Sequence, residues 1–345
     1  MSSSTPDEPR PPQTTTEAPP PPPPANRPGA SIFTIEGRAA PGLFVLGWLA
    51  SIVGLVIVLV AFQAGPGGSA GILLTIGLAV LGIGLVAGAG AQALERRARG
   101  RDAYTGPSPV LLLAASIPVA SLAVVLVGIV LDLLHVELAQ PLRDFVLLVL
   151  QDGVYVGLVA LLVVGSGALS WRDVGFTRRA GRAVEDIGWG AVFAAPVIAV
   201  TLVVTGVLVA IFRVVPESPL PPTGQAGGFI LHLLSAAVVA PIGEEILFRG
   251  VATTAWVRSF GVRSGIVRGA LFFAVAHVLL ISASTVGEGA ALAAVGFGGR
   301  IPIALVLGWV FVRRRSIYAS MGLHATFNAI LLTIAELSVA ASPSP

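Results

Sequence analysis

Two adjacent carboxylates and an arginine stand within six residues of each other in an apolar part of the chain, Pro241-Ile-Gly-Glu-Glu-Ile-Leu-Phe-Arg-Gly250. Glu245 and Arg249 are four residues apart, so on a helix they share a face and can form an ion pair. Glu244 points to a different face and has no such partner nearby in the sequence. A carboxylate in that position is typical of a general base or of a metal ligand.

Two further pairs of residues have the same four-residue spacing. Phe273 precedes His277, and His324 precedes Asn328. An imidazole and an amide on one helix face can both donate hydrogen bonds to a developing oxyanion. They can equally join neighbouring helices, which is common for His and Asn in membranes. We expect Phe273 to pack against its neighbours.

Asp152 and His232 also lie in apolar segments. Ionisable groups inside a membrane span usually face the protein interior or a cavity. We expect these two side chains to make local hydrogen bonds between helices.

The composition indicates a membrane protein. Of the 345 residues, 55% are hydrophobic and only 11% are charged, and the mean hydropathy is +0.89. A soluble domain has about a quarter of its residues charged. The chain has no Cys, which excludes disulfides, thiolate metal sites and cysteine nucleophiles. The net charge of +3 gives little support to a nucleic-acid partner.

The apolar segments predict an all-α membrane bundle of about nine transmembrane helices and no sheet, since a span needs about 20 apolar residues. The eighth segment contains Gly298-Gly-Arg-Ile-Pro302, which leaves open a continuous, a broken or a re-entrant helix. The predicted spans are 43–63, 71–93, 109–131, 145–169, 187–212, 229–250, 266–285, 290–312 and 316–337.

Arginines follow every second span. The intervening loops hold only Arg143 and Arg213. Under the positive-inside rule this pattern predicts a multi-pass protein of the cell membrane with a cytoplasmic N-terminus and an external C-terminus. The arginines that follow even-numbered spans are Arg96, Arg97, Arg99, Arg101, Arg172, Arg178, Arg179, Arg182, Arg258, Arg263, Arg268, Arg313, Arg314 and Arg315.

Three regions are expected along the chain. Residues 1–40 are rich in Pro, Ser and Thr and predict a disordered cytoplasmic tail. Residues 41–108 would form an accessory unit of two transmembrane helices. Residues 109–345 would form the core, with the charged motifs between 171 and 337.

Depth brings three of the polar residues together. His277 and His324 each lie eight residues inside the arginine-rich end of their spans, which is about 12 Å of helix. Glu244 lies at about 9 Å by the same rise. Three helices therefore present a carboxylate and two imidazoles at one level.

The ordered set Glu244-Glu245-x-x-x-Arg249, Phe273-x-x-x-His277 and His324-x-x-x-Asn328 resembles the CPBP family. These are the CAAX-type (Abi) intramembrane proteases, also called type II CAAX prenyl endopeptidases. The resemblance extends roughly from Trp171 to Leu337. One short motif alone would carry little weight, but the three in order on separate spans are specific.

The resemblance implies an intramembrane endopeptidase that acts on a membrane-associated peptide or protein and cuts near its C-terminus. Glu244 and His277 would activate water, His324 and Asn328 would hold the oxyanion, and Glu245 with Arg249 would support the site. Both a metal-free mechanism and a divalent metal such as zinc, held by Glu244, His277 and His324, stay open, because two His and one Glu form a known zinc ligand set. Prenylated CAAX proteins are not implied as substrates by the family name.

Two other functional classes compete with the protease. One is a non-catalytic membrane immunity or scaffold protein with the same fold, and the other is a transporter with a polar site at the midplane. We find no inverted repeat to support the transporter. The chain also lacks the HExxH and GxGD motifs of other intramembrane proteases, and its Gly165-Ser-Gly167 sequence is not a GxSG motif.

Overall fold

The computed structural model describes residues 37–65, 67–100, 102–218 and 220–340, and both the Pro-rich segment 1–36 and Arg101 lie outside them. The described residues form nine helices and no strand, which confirms the all-helical bundle. The helices are α1 Pro41–Gln63, α2 Gly68–Arg99, α3 Pro109–Leu133, α4 Gln140–Val164, α5 Ala180–Phe212, α6 Ala226–Phe260, α7 Val262–Ala276, α8 Val286–Arg314 and α9 Ile317–Ala340.

Eight of these nine helices are long and apolar enough to cross a membrane. Many of their large apolar side chains are exposed, as lipid-facing residues would be; Phe62 is 72% exposed and Val203 is 67% exposed. The chain is therefore a multi-pass membrane protein.

The helix α7 is shorter than the span predicted over 266–285. It has 15 residues and ends at Ala276, and the chain continues in turns and irregular backbone to Val286. His277 contributes to this ending, because its ring Nδ1 bonds the carbonyl of Phe273 at 2.8 Å. Ser282, Ser284 and Thr285 follow, and their hydroxyls compete with helical backbone bonds.

The helix α8 is continuous, so the broken or re-entrant alternative for the eighth span is wrong. It runs for 29 residues with Pro302 in its interior. Membrane helices tolerate Pro and Gly because neighbouring groups satisfy the freed backbone. Here α5 packs closely on Gly298 and Gly299, since a Cβ on either would lie within 2.7 Å of a side-chain atom of α5.

Glycines allow α1 and α2 to approach at backbone distance. A Cβ on Gly54 would lie 2.3 Å from the amide nitrogen of Leu81, and a Cβ on Gly84 would lie 2.4 Å from that of Ser51. Small residues at such contacts are a usual basis of helix packing in membranes. The division into a tail, a two-helix accessory unit and a core stays a prediction.

The arginine-rich loops lie at one end of the bundle and are joined by hydrogen bonds and ion pairs. Arg97 donates to the carbonyl of Ser166 at 2.7 Å, and Arg314 bonds Asp186 at 2.7 Å. The Arg258 guanidinium contacts the Asp173 carboxylate. This grouping is the one that the alternation of arginines predicts. Which side of the membrane the end faces stays a prediction.

Replacing Gly54 with Ala is expected to destabilise the protein by about 1–3 kcal/mol, because the added methyl meets the α2 backbone and overpacks the contact. Thermal unfolding in detergent measures the effect. Gly42→Ala is the matched control on the same helix, since its Cβ would meet nothing within 4 Å. Equal unfolding temperatures for the two variants would contradict the close approach.

Candidate active site

The motif Pro241–Gly250 lies on α6, where the helix is wound unevenly. Two π-helical segments, Ser235–Val239 and Ile246–Thr253, flank the α-helical stretch Ala240–Glu245. The Thr253 hydroxyl bonds the carbonyl five residues before it, at 2.9 Å. Such π turns occur frequently at functional sites, because they redirect side chains out of the regular helical pattern.

Glu245 and Arg249 form the ion pair that their spacing predicts. Arg249 Nη1 lies 3.1 Å from Glu245 Oε1, and the two side chains are 1% and 0% exposed. The guanidinium carbon of Arg249 also lies 4.2 Å from the centre of the Phe273 ring. The same Glu245 oxygen lies 2.9 Å from His324 Nδ1, a contact that the spacing did not predict. The pair therefore positions one of the site histidines.

Glu244 faces the two histidines, as the depth argument predicts. Its Oε2 lies 3.5 Å from His277 Nε2 and 4.0 Å from His324 Nε2. Glu244 lies on α6 and His324 on α9, and His277 directly follows the last residue of α7. Glu244 is 9% exposed, and its Oε2 has no hydrogen-bond partner among the described residues.

The partners of the other ring nitrogens assign the histidine tautomers. His277 Nδ1 faces the Phe273 carbonyl, which can only accept, so Nδ1 carries a proton. His324 Nδ1 donates in the same way to the carboxylate of Glu245, which Arg249 neutralises. Both rings thus direct Nε2 towards Glu244.

Asn328 contacts α6 rather than the two histidines. Its Nδ2 donates to the carbonyl of Ala236 at 2.7 Å. In this π-helical register the N–H of Ala240 donates to the carbonyl of Ser235, five residues earlier. Residue 241 would donate to the carbonyl of Ala236 in the same way, but it is a proline and has no N–H. Asn328 satisfies the acceptor that Pro241 leaves free. One N–H of the amide remains, and the residue also lines the central cavity.

The expectation for Asp152 is wrong. Its side chain is buried, yet neither carboxylate oxygen has a hydrogen-bond partner among the described residues. It packs against the backbone of the motif instead, since a Cβ on Gly243 would lie 2.4 Å from Asp152 Cβ. A spacing argument within one span cannot detect such a contact between helices.

The hydrogen bond expected for His232 is also wrong, because neither ring nitrogen has a hydrogen-bond partner among the described residues. Its Nε2 is 3.7 Å from Asp144 Oδ2 on α4, too long for a hydrogen bond. It lies twelve residues before Glu244 on α6 and takes no part in the cluster of Glu244 with His277 and His324.

A cavity of about 1180 Å³ opens onto the Glu244 cluster. Its walls are mainly apolar and include Val215, Pro216 and Leu220 from the segment after α5. A pocket for a drug-sized ligand measures about 300–1,000 Å³, so this one is large enough for a longer molecule such as a peptide segment. Its polar lining includes Glu244, His277, Arg300, His324 and Asn328.

The described residues contain no group of three or more His, Cys, Asp or Glu side chains arranged to hold a metal ion. Glu244 with the two Nε2 atoms has suitable donor types. Two ligands of a tetrahedral zinc ion lie about 3.4 Å apart. The Oε2–Nε2 separations here are 3.5 and 4.0 Å, so the three donors are spread slightly wider than in a formed zinc site.

The family comparison agrees with the three motifs. Residues 226–330, less than a third of the chain, match the family model described as type II CAAX prenyl endopeptidase Rce1-like. The matched range contains every residue of the Glu244, His277 and His324 motifs, and it confirms the predicted resemblance. No curated protein and no solved structure matches the chain significantly.

Replacing Arg249 with Met is expected to cost about 3–5 kcal/mol of unfolding free energy, because it leaves the fully buried Glu245 carboxylate without its charge partner. Unfolding in detergent by increasing SDS measures it. Arg258→Met is the control, because its pair with Asp173 is more than a third exposed and should contribute only about 0–1 kcal/mol. A cost for Arg249→Met no larger than that of the control would contradict the supporting role of the pair.

Proposed function

We propose that the protein is an intramembrane endopeptidase that hydrolyses a peptide bond of a membrane-associated substrate. The observation that carries the proposal is the meeting of the Glu244 carboxylate with the Nε2 atoms of His277 and His324 at membrane depth, on the wall of a large apolar cavity. The match of residues 226–330 to a prenyl endopeptidase family supports the same reaction class.

In the proposed reaction Glu244 acts as the general base. It accepts a proton from a water molecule while the water oxygen bonds to the carbonyl carbon of the scissile peptide. The C–N bond then breaks, and the proton passes from Glu244 to the leaving nitrogen. His277, 3.5 Å away, orients the water by accepting its second hydrogen at Nε2.

His324 and Asn328 are the proposed donors to the tetrahedral oxyanion. Asn328 has one N–H left after its bond to Ala236. His324 is held by Glu245 at Nδ1, and donation from Nε2 as well requires a ring that carries both protons. Glu245 and Arg249 act as positioning residues, because they contact His324 and Phe273 rather than the cavity centre.

No step of this mechanism is routed through a metal, since the three candidate ligands do not form a metal-holding group. Measurement of the metal content of the purified protein tests that assignment independently of activity.

The orientation and the surroundings belong to the same proposal. The arginine-rich end would face the cytoplasm of the cell membrane, with the N-terminus inside and the C-terminus outside. The lipid bilayer and a peptide or membrane-protein substrate are the partners. Residues 41–108 would act as an accessory pair of helices beside the protease core.

Replacing Glu244 with Gln is expected to lower cleavage by about 100- to 10,000-fold, since the amide cannot accept the proton from water. Comparison of the membrane and secreted peptidomes of wild-type and variant cells should show fragments that depend on Glu244. Glu288→Gln, an exposed acidic residue at the start of α8, is the matched control and should leave those fragments unchanged.

Two results would separate the competing classes. Peptidomes that are identical in the wild-type and Glu244→Gln strains, with an immunity phenotype that persists, would favour a non-catalytic scaffold and contradict the protease. Full cleavage by a folded Glu244→Gln protein would contradict the assignment of the base.

A further inference from the structure

Arg300 is a charged side chain at the middle of α8 that the proposed reaction does not use. Fourteen residues separate it from Val286 and fourteen from Arg314, which is about 21 Å of helix on either side. A guanidinium at this depth is costly unless it faces a cavity or an anion. Arg300 lines the same cavity as Glu244 and His277.

The packing of α8 against α7 and the segment that follows α7 places the Arg300 guanidinium near Val278. A Cβ on Gly308 would lie 3.3 Å from a methyl of Ile266, and a Cβ on Gly296 would lie 3.2 Å from a methyl of Val278. The Arg300 side chain runs back one turn and donates from Nη1 to the carbonyl of Gly296 at 2.9 Å. The guanidinium therefore lies at the level of Val278, the residue that follows His277.

Most of the hydrogen-bonding capacity of Arg300 is unused. A guanidinium has five N–H donors, and its one hydrogen bond within the described part of the chain goes to Gly296. No carboxylate of the described residues forms an ion pair with it within 4.0 Å. Glu244 is close enough to act on Arg300 electrostatically, but the proposed reaction needs that carboxylate as its base.

We propose that Arg300 binds the C-terminal carboxylate of the substrate peptide and thereby sets cleavage close to the C-terminus. The inference rests on the proposed protease function and deepens it by assigning a specificity residue. A planar guanidinium matches a carboxylate with two parallel hydrogen bonds, which gives both strength and orientation.

The depth of Arg300 selects this ligand over a lipid phosphate. The hydrocarbon core of a bilayer is about 30 Å thick, so lipid headgroups begin about 15 Å from the middle of a spanning helix in either direction. A peptide that enters the cavity by its C-terminal end brings a carboxylate with it. The residues before Arg300 also hold it in place, because Gly298 and Gly299 pack against Leu208 and Thr205 of α5.

The test uses a pool of peptides with an N-terminal lipid anchor and randomised apolar C-terminal residues, made once as free acids and once as C-terminal amides. The wild-type protein should cleave the acids with a kcat/KM about 10–100-fold higher than the amides. Arg300→Gln should lower kcat/KM for the acids to the level of the amides and leave the amides unchanged. Arg300→Lys should retain part of the preference.

Arg313→Gln is the matched control, because it removes an exposed arginine from the same helix and should keep the full preference for acids. Equal cleavage of acids and amides by the wild-type protein would overturn the assignment without any variant. Equal losses on both substrates in Arg300→Gln would also overturn it, because they would indicate a general electrostatic or structural role.

A binding measurement separates this inference from the proposed function. Glu244→Gln protein should bind fluorescent acid peptides more tightly than the amides, and Arg300→Gln should remove that difference. If the peptidomes of the Glu244→Gln strain confirm the protease but binding shows no difference, the Arg300 assignment alone fails. If the binding difference is present and no fragment depends on Glu244, the protease proposal fails and the carboxylate site stands.

Discussion

A carboxylate buried at membrane depth persists only with a charge partner or a cavity, and this constraint divides the two adjacent glutamates of α6. Arg249 neutralises the charge of Glu245 at a distance of 3.1 Å, and both side chains are almost completely buried. No arginine among the described residues forms an ion pair with Glu244, whose side chain lines the cavity. Glu245 also contacts His324 on α9, and Arg249 contacts Phe273 on α7, so the ion pair positions side chains of both helices. Phe273 and His324 also contact each other, with ring centres 6.0 Å apart, so three helices meet at this pair.

Much of this arrangement could be predicted from spacing and depth. The four-residue spacing predicts the Glu245–Arg249 pair, because both lie on one helix. The distance of His277 and His324 from the arginine-rich ends predicts that they meet Glu244, since the helical rise converts position into depth.

The contacts between helices could not be predicted in this way. The bond from Asn328 to Ala236 depends on the π-helical register that leaves Pro241 without a donor. The packing of Asp152 on Gly243 depends on the rotation of α4 about its axis. The early end of α7 at His277 depends on a side-chain bond to the backbone of the same helix. Each needs three-dimensional contacts that a single-span pattern does not contain.

The cavity connects these local features to the proposed chemistry. Its lining includes Glu244, His277, His324 and Arg300, while most of its surface is apolar. A peptide held there would meet a base, hydrogen-bond donors and a cation. Since the short α7 ends within this region, irregular backbone after His277 borders the cavity, a setting in which non-helical backbone is tolerated inside a membrane.

Thiol labelling of single introduced cysteines tests the division between the two glutamates most directly, because the chain has no Cys of its own. The cysteine of Glu244→Cys should react in the folded protein with a small thiol reagent, detected by mass spectrometry of the digested protein, because position 244 lines the cavity. The cysteine of Glu245→Cys should not react, because position 245 is fully buried. Labelling at 245 as fast as at 244 would contradict the account, because Glu244 would then not be the carboxylate that faces the site.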